Sequence, residues 1–379
     1  MNVIIMIDNL DLEQGGGVGS FVYDLCCTLK EKNIKLSLVS IVKNSNEADR
    51  MKVDLENRGI SVQCAGANSR KDSIVHFRRY IKVAKNIIKN IAGDEETICN
   101  LHLKLAVLYG TIATKGMRNV KCVETYHSQY SHYWLQNKVL SGRISMYIGC
   151  SDSARDEMKE RFSPKAGKLI SIPNGVRCEY LKEAATHGES RPKHDFQIVS
   201  VGRFTDQKNF HITAAAFSKL EGDVCYRIIG QGEKESKIKA ACNGSSVVEF
   251  VGNVPRNDVL AEVQQADIVA MPSLWEGLSI FMLETIALGT PLMLSDIPSF
   301  RDVLKEKELD PNEKWRACSW GFLVQTSNPD AYREAMEYYM AHPELREHMK
   351  KSISHYAAEY DMSNCGEKYM DIYRRMLAD

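Results

Sequence analysis

The chain has 379 residues, and its 49 lysines and arginines balance 49 aspartates and glutamates, so the formal net charge is zero. This length exceeds one ordinary hydrophobic core and predicts two domains of about 180 residues each. The hydrophobic fraction of 44% and the charged fraction of 26% are typical of a globular protein, and the short apolar runs exclude an integral membrane protein.

The N-terminal half alternates short β-branched runs with helical patterns. A helix is predicted from Ser20, which would cap it, to Lys32. Strands are predicted at Val3–Ile7, Leu36–Val42, Thr97–Leu101, Lys121–Tyr126 and Met146–Cys150. Because strand–helix alternation is typical of a parallel sheet covered on both faces, we expect a Rossmann-like domain over residues 1–180.

The segment 74–91 has apolar residues at helical spacing and basic residues on another face. A membrane-surface helix has this pattern. A helix that covers a sheet and exposes a basic side has it too, and we favour that interpretation. The basic residues are Arg78, Lys82, Lys85 and Lys89.

Residues 178–194 are polar and weakly patterned, which predicts a linker. A second strand–helix alternation follows and predicts a second Rossmann-like domain over residues 195–362. Its strands are predicted at Gln197–Val201, Cys225–Ile229, Val247–Val251, Asp267–Met271, Pro291–Leu294 and Phe322–Val324, after which the chain is helical. Two such domains predict a ligand cleft lined by the loops at the carboxyl ends of the strands.

The strongest chemical signal lies between Pro272 and Pro291. A small-residue loop precedes a helix that is expected to begin near Leu278, and a helix N-terminus attracts anions. Glu284 lies on this helix among apolar neighbours, where a carboxylate needs a partner. The hydroxyls of a ribose would satisfy it, and so would a structural ion pair with a lysine or arginine.

Two basic residues follow the first strand of the second domain. Arg203 comes directly after the strand, and Lys208 is expected to open the next helix, where a cation is unfavourable. An anion such as a diphosphate would explain two cations at this place. The alternative is solvated surface charge.

Glycines 15–17 and 19 follow the first strand and suit close approach to a phosphate. Their spacing is not G-x-G-x-x-G and no acidic residue ends the second strand, so a nicotinamide oxidoreductase is disfavoured. His127 directly follows another strand and is expected to face the cleft, either near a sugar or as a structural histidine. His102 is similarly placed but gives a weaker signal.

Charge and cysteine patterns limit the partners. Residues 1–179 hold 26 basic and 19 acidic residues, and residues 180–379 hold 23 and 30. The excess of basic residues in the first half is too weak and too dispersed for nucleic-acid binding. The basic half can face anionic lipid or an anionic acceptor. Alternatively, the uneven charge has no functional role, since such a division is common in two-domain proteins.

The 11 cysteines lack metal-ligand spacing, and we expect reduced thiols. We also expect no signal peptide and a cytoplasmic location.

Metal dependence is not expected. The sequence has no Asp-x-Asp pair, which many metal-dependent sugar transferases use to hold a divalent ion. Arg203, Lys208 and helix N-termini would neutralise a diphosphate instead. We therefore predict neither a metal nor another cofactor.

These motifs, in this order, resemble glycosyltransferase family 4, whose members are retaining enzymes of GT-B architecture. The segment from Glu276 to Glu284 resembles the E-x7-E motif of the family, and Gly202 to Lys208 resembles its diphosphate clamp. Residues 230–233 and 251–254 fall where the family builds its base pocket, and residues 172–176 resemble a hinge-side segment. The resemblance covers nearly the whole chain.

The resemblance implies a role for each matching residue. Glu284 would bind the ribose, Glu276 the transferred sugar, and His127 would contact that sugar near the reacting centre. The base pocket would include Gly230, Asn253 and Val254. The diphosphate would be held by Arg203, Lys208, Gly16, Gly17 and the backbone of Gly277, Leu278 and Ser279. The final helix, residues 363–379, would pack back on the first domain.

The resemblance also implies a reaction. A sugar would pass from a nucleotide sugar, with UDP expected and GDP-mannose the rival, to a glycan or lipid-linked acceptor in surface polysaccharide synthesis. The enzyme would be cytoplasmic, with peripheral contact at the inner membrane face through its basic half as a further hypothesis. The alternatives are a nucleotide-sugar epimerase or hydrolase of the same architecture, and a non-catalytic nucleotide-sugar binding protein.

Overall fold

The computed structural model describes residues 1–10, 17–43, 46–127, 140–162, 167–188 and 194–378. The chain forms two compact units, of which one comprises residues 1–175 and 362–379 and the other residues 176–361. We call them the N-terminal and C-terminal units. The last helix therefore belongs with the N-terminal unit, and the boundary between units precedes the linker expected at 178–194.

The N-terminal unit contains a seven-stranded parallel sheet of order β3-β2-β1-β4-β5-β6-β7. Its strands are β1 Asn2–Ile7, β2 Lys35–Val42, β3 Ser61–Ala67, β4 Thr97–His102, β5 Val120–Tyr126, β6 Met146–Gly149 and β7 Leu169–Ser171. Its helices are α1 Gly17–Glu31, α2 Asn46–Asn57, α3 Arg70–Val75, α4 Phe77–Ala92, α5 Lys104–Ala113, α6 Asp152–Phe162 and, at the end of the chain, α15 Met362–Ala378. The five predicted strands are present, whereas β3 and β7 were not predicted.

The first strand is central to this sheet. All six residues of β1 are buried, and five of them are apolar, because helices cover both faces. The strand order reverses between β1 and β4, where Ile7 lies opposite His102 in register. Ligands of open α/β sheets bind outside the carboxyl ends of the strands at such a reversal. His102 and His127 lie at this edge of the sheet.

Two helix predictions for this unit need correction. Ser20 does not cap α1, since it is the fourth residue of this helix, which begins at Gly17, and its side chain is buried. The expected helix over 74–91 is two helices, with His76 between them. The second, α4, buries a residue every fourth position and covers the sheet as expected, whereas Ile74 is 61% exposed at the end of α3.

The C-terminal unit contains a seven-stranded sheet of order β10-β9-β8-β11-β12-β14-β13, parallel except for the antiparallel edge strand β13. Its strands are β8 Phe196–Val201, β9 Val224–Ile229, β10 Val248–Gly252, β11 Ile268–Met271, β12 Leu292–Ser295, β13 Trp315–Cys318 and β14 Gly321–Val324. Its helices are α7 Cys178–Thr186, α8 Phe210–Phe217, α9 Glu235–Ala241, α10 Arg256–Gln265, α11 Ile280–Leu288, α12 Pro298–Leu304, α13 Pro329–Ala341 and α14 Pro343–Ala357. The six predicted strands are present, and β13 is additional.

The expected linker is partly helical. Residues 178–186 form α7, which packs on α10 and α11 within the C-terminal unit. Gly188 continues this packing, because a Cβ atom there would lie 2.4 Å from the Cβ atom of Ala261. Residues 189–193 of the expected linker lie outside the described part of the chain. Among the described helices, none is long and apolar enough to cross a bilayer.

Candidate functional site

The strand order of the C-terminal unit reverses between β8 and β11. The loop at 202–209 follows β8 and the loop at 272–279 follows β11, so both lie at the reversal. The backbone N–H of Leu274 donates to the carbonyl of Gln207 at 2.8 Å and joins the two loops. The two strongest sequence motifs therefore meet at the place where such sheets bind ligands.

Glu276 is the centre of a hydrogen-bond cluster between these loops. Its Oε1 accepts from Lys208 Nζ at 2.6 Å and from Ser273 Oγ at 2.8 Å. Its Oε2 accepts from Gln207 Nε2 at 3.3 Å. The carboxylate is buried and the ammonium mostly so. The structure thus brings Glu276 and Lys208 together, and leaves Oε2 the less committed of the two carboxylate oxygens.

The position of Lys208 differs from the prediction. Lys208 does not open a helix, because α8 begins two residues later at Phe210. Asn209, which lies between Lys208 and the helix, has a left-handed conformation with a φ of 56°. The charge of Lys208 is balanced by Glu276, so an external anion is not needed to explain it. Arg203 is different. Its side chain is exposed and forms no ion pair with a carboxylate of the described residues, which leaves a cation for a ligand.

Glu284 forms the ion pair that the alternative interpretation requires. Its side chain is buried on α11, and its Oε1 accepts from Arg256 Nη2 at 2.6 Å. Arg256 is the first residue of α10 and is partly exposed. The pair explains how a carboxylate is tolerated among apolar neighbours. Ribose binding by Glu284 stays a prediction.

The N-terminus of α11 has the features of an anion site. The helix begins at Ile280, two residues later than predicted, and Ser279 is its N-cap, with Oγ accepting from the N–H of Met282 at 3.3 Å. The first turn contains no acidic residue. Gly277, Leu278 and Ser279 are buried just before it. The helix dipole and the N–H groups of the first turn therefore favour a negative charge at this loop.

Gly230 has a packing role that the sequence did not reveal. Its φ is 134°, and a Cβ atom would lie only 2.1 Å from the carbonyl oxygen of Gly202. Its N–H donates to the carbonyl of Gly252 at 2.9 Å and joins the ends of β9 and β10, while the N–H of Gly202, after β8, donates to the carbonyl of Ile229 at 3.0 Å. Asn253 is exposed and Val254 half-buried at the same edge. Contact of these residues with a base stays a prediction.

The N-terminal unit places His127 against His102. Nδ1 of His102 lies 2.8 Å from Nε2 of His127, and both side chains are buried. Burial lowers the pKa of His127 to about 3 and the pKa of His102 well below its usual value, so both rings are neutral near pH 7. Gly17 is the first residue of α1, and Gly16 lies outside the described residues.

Sequence reasoning missed Asp8, which follows β1 at the same edge of this sheet. Its Oδ1 accepts from the N–H groups of Leu105 and Ala106 at 2.8 and 3.0 Å, at the start of α5. Burial raises its pKa to about 6, against the lowering effect of these bonds and of Arg70 nearby. A polar residue directly after a buried apolar strand was the available signal.

Within the described part of the chain, no group of three or more His, Cys, Asp or Glu residues is arranged to hold a metal ion. Two buried acidic side chains of the candidate site, Glu276 and Glu284, are each paired with a cationic side chain. The absence of a metal requirement stays a prediction.

Two family models match the chain. One, described as Glycosyltransferase Family 4, matches residues 15–180, and the other, described as Glycosyl transferases group 1, matches residues 182–355. The boundary between the two matches falls close to the boundary between the two units.

The curated relatives of this chain include several sugar transferases. A phosphatidyl-myo-inositol mannosyltransferase of Mycolicibacterium smegmatis is 23% identical over 94% of this chain and 90% of its own length. Its counterpart in Mycobacterium leprae is 26% identical over 60% of this chain, and the match spans 58% of that relative's length. A UDP-Gal:alpha-D-GlcNAc-diphosphoundecaprenol alpha-1,3-galactosyltransferase of Escherichia coli is 26% identical over 68% of this chain and 70% of its own. A Mycobacterium tuberculosis glycogen synthase matches over 37% of its length.

Solved structures show the same fold at low identity. A glycosyltransferase of Rickettsia africae has a TM-score of 0.77 at 16% identity and covers 99% of this chain and 98% of its own. The Anabaena protein HepE, in complex with UDP-glucose, has a TM-score of 0.77 at 13% identity and covers 99% and 100%. The fold is therefore GT-B, with two Rossmann-like domains. With both of its halves matched by the family's models, the chain belongs to glycosyltransferase family 4.

Proposed function

We propose that this protein transfers a sugar from a nucleoside-diphosphate sugar to a glycan or lipid-linked glycan, with retention of the anomeric configuration. The observation that carries the proposal is the cluster of Lys208, Glu276 and the N-terminus of α11 at the strand-order reversal of the C-terminal unit. The names of the curated relatives support it, because they transfer mannose to a phosphatidylinositol or galactose to a diphosphoundecaprenol-linked sugar.

The donor we propose is a UDP-sugar. Structures of the same fold have been solved with UDP or UDP-glucose bound to HepE, and with UDP bound to a Staphylococcus aureus protein, TarM. GDP-mannose is the rival donor, since several curated relatives are mannosyltransferases. The transferred sugar is chosen by groups that meet its hydroxyls, of which Glu276 is our first candidate.

In this proposal the diphosphate is neutralised without a metal. Arg203 supplies a cation that pairs with no carboxylate in the described part of the chain, and the first turn of α11 supplies N–H groups. Lys208 has three N–H donors and directs one of them to Glu276, so the others can meet a phosphate oxygen. Lys208 would then bridge the leaving group and the carboxylate that contacts the transferred sugar.

The chemistry needs little covalent help from the protein. The bond between the anomeric carbon and the β-phosphate oxygen breaks, and the acceptor oxygen bonds to the same face of that carbon. The acceptor proton passes to the departing phosphate oxygen. The main task of the protein is to stabilise the negative charge that develops on the leaving group.

Glu284 would bind the ribose beside Arg256. One carboxylate oxygen of Glu284 accepts from Arg256, and a carboxylate has lone pairs for further donors. A ribose hydroxyl that bonds this carboxylate would therefore join the ion pair or displace Arg256 from it.

We also propose peripheral contact with anionic lipid at the cytoplasmic face of a membrane. Ile74 and Val75 are 61% and 67% exposed, and they are adjacent in the chain. Basic residues surround them in the sequence and are exposed as well: Arg70, Lys71, Arg78, Arg79 and Lys82. An apolar tip with basic neighbours fits an anionic bilayer surface.

The test is a two-step assay. Sugar nucleotides are first screened by thermal shift, where a ligand at 100 times its dissociation constant stabilises by about 2.7 kcal/mol. The selected donor is then incubated with and without lipid-linked or glycan acceptors, in the presence of EDTA. We expect product only with an acceptor. NMR of the product should show that the transferred sugar keeps the anomeric configuration it had in the donor. Epimerised donor, donor hydrolysis alone, or binding without turnover would contradict the proposal.

A further inference from the structure

Two residues beside the candidate site have a left-handed backbone although neither is a glycine. Asn209, between Lys208 and α8, has a φ of 56°, and Ser327, in the loop after β14, has a φ of 63°. Nδ2 of Asn209 donates to Oγ of Ser327 at 3.3 Å. Such conformations are uncommon outside glycine and concentrate at functional sites. Because β8, β11 and β14 run in the same direction, the two residues lie at the same edge of the sheet as the candidate site.

Asn209 separates a single turn from the helix α8. Its N–H donates to the carbonyl of Thr205 at 3.4 Å, which closes a turn over residues 205–209. Its carbonyl accepts from the N–H of Ile212 at 3.0 Å, at the start of α8. Consecutive right-handed residues continue a helix, so a right-handed residue at position 209 would join the turn to α8. A left-handed residue commonly ends a helical turn, and it allows the turn and the helix to take different directions.

Different contacts fix these two directions. The turn faces the loop after β11, where the carbonyl of Gln207 accepts from the N–H of Leu274 at 2.8 Å. Nζ of Lys208 donates to Oε1 of Glu276 in the same loop at 2.6 Å. The helix α8 is held instead by the hydrophobic core, in which it buries Phe210. The left-handed residue therefore lets Lys208 point at Glu276 while α8 stays packed in the core.

The side chain of Asn209 serves the turn rather than the helix. Asparagine is a preferred N-cap residue, and it normally caps with an extended backbone and a side chain that accepts from the first turn. Asn209 is the N-cap of α8, yet its backbone is left-handed and its side chain forms no capping bond within the described structure. The side chain is buried, and its amide is directed to Ser327. Because asparagine tolerates a left-handed backbone better than most residues other than glycine, the residue type fits the turn.

We propose that Asn209 is a positioning residue for Lys208. Its left-handed backbone ends the turn at 205–209 and directs the ammonium of Lys208 to Glu276, so that this cation is in place before a diphosphate binds. The bond from Asn209 to Ser327 supports this conformation from the loop after β14. This role rests on the proposed function, since it affects donor binding only when Lys208 contacts a phosphate.

Two substitutions separate the backbone of Asn209 from its side chain. Asn209→Gly keeps access to a left-handed backbone, whereas Asn209→Ala makes that backbone unfavourable. We expect Asn209→Ala to weaken UDP binding roughly three- to tenfold and Asn209→Gly to bind UDP as wild type does, as measured by calorimetric titration. Asn209→Ala with wild-type affinity, or Asn209→Gly as weak as Asn209→Ala, would overturn the proposal.

Asn243 provides the matched control. It lies in the same unit and also has a left-handed backbone, with a φ of 48°, but it is placed between α9 and β10, at the opposite edge of the sheet. Asn243→Ala should destabilise the protein, as Asn209→Ala does, and leave the UDP affinity unchanged. A loss of UDP affinity in both alanine variants would assign the effect to stability alone and contradict the proposal.

A second measurement needs no nucleotide. If Asn209 acts through Lys208, Asn209→Ala should cost less unfolding free energy in a Lys208→Ala background than in wild type, because the ion pair with Glu276 is already absent. The loss caused by Asn243→Ala should be the same in both backgrounds. Equal losses from Asn209→Ala in the two backgrounds would overturn the proposal. Wild-type protein that binds neither UDP nor GDP would refute the proposed function, while urea unfolding would still decide the role of Asn209.

Discussion

Nζ of Lys208 lies 2.6 Å from Oε1 of Glu276 in a mostly buried ion pair between the loops that follow β8 and β11. The pair joins a residue of the expected diphosphate clamp to a residue of the E-x7-E motif. Each partner lowers the free-energy cost of burying the other. The two motifs therefore stabilise each other structurally, in addition to lying next to each other at the candidate site.

This pairing predicts different effects for the two basic residues of the clamp. Arg203→Ala removes an exposed cation and should weaken UDP binding while unfolding free energy changes by less than about 0.5 kcal/mol. Lys208→Ala should weaken UDP binding and also destabilise by about 1–3 kcal/mol, because Glu276 loses its cation. Calorimetric UDP titration and urea unfolding measure both quantities. Near-normal UDP affinity in both variants would exclude the clamp.

Glu276→Gln should abolish most turnover and keep the donor bound. Glutamine preserves an oxygen for Lys208 and Ser273 but lacks the charge that we assign to sugar binding. We expect kcat to fall roughly 100-fold with the Kd for UDP within a fewfold of wild type. Glu262→Gln is the matched control, since Glu262 is a buried glutamate of the same unit, paired with Arg227. Equal losses in the two variants would indicate a structural role only.

The ribose hypothesis is tested with UDP and 2′-deoxy-UDP on wild type, Glu284→Gln and Arg256→Gln. If Glu284 binds the ribose, wild type should prefer UDP roughly tenfold, the equivalent of one hydrogen bond. Glu284→Gln should lose most of that preference, and Arg256→Gln should keep it, because the carboxylate of Glu284 remains in place. The same nucleotide preference in all three proteins would leave Glu284 with the ion-pair role alone.

The predicted and unpredicted strands differ in their place in the sheet. Central strands such as β1 and β11 are buried on both faces and give uninterrupted apolar runs. The three unpredicted strands, β3, β7 and β13, all lie at sheet edges. Most of their residues are only partly buried, so their sequences mix polar and apolar types without a clear period. Edge strands need the neighbouring strand before they become recognisable.

Some features of the candidate site could likewise be predicted from the sequence, and others could not. The loops around Arg203 and Glu276 were predictable, because they directly follow strands that the sequence reveals. The partner of Glu284 was not, since Arg256 lies on another helix, 28 residues away. Likewise, the contact between His102 and His127 depends on the adjacency of β4 and β5, which strand prediction alone does not give.

Membrane contact predicts a local effect of acidic substitutions on α3. The double variant Ile74→Glu and Val75→Glu should lose binding to vesicles that contain anionic lipid, because both side chains are exposed beside basic residues. Val53→Glu is the control, as Val53 is 54% exposed on α2. Vesicle sedimentation at low and physiological salt measures the binding. Wild-type protein that stays in the supernatant with anionic vesicles would refute the membrane proposal.

Stability should fall as the pH decreases from 7 to 5, and the two buried histidines are one cause. The pKa of His127 is about 3 in the folded protein and near 6.5 when unfolded, so the unfolded state binds the extra proton between these values. This removes about 2 kcal/mol between pH 7 and pH 5, and His102 acts in the same direction. Asp8 acts in the opposite direction, because its folded pKa is raised to about 6 and the native carboxyl takes up the proton first.

Urea unfolding at pH 7 and pH 5 separates these contributions. The difference in unfolding free energy between the two pH values should be about 2 kcal/mol smaller for His127→Phe than for wild type, and about 1 kcal/mol larger for Asp8→Asn. If His127→Phe had the wild-type pH dependence, folding would not lower the pKa of His127, and His127 would be protonated in the folded protein at pH 5.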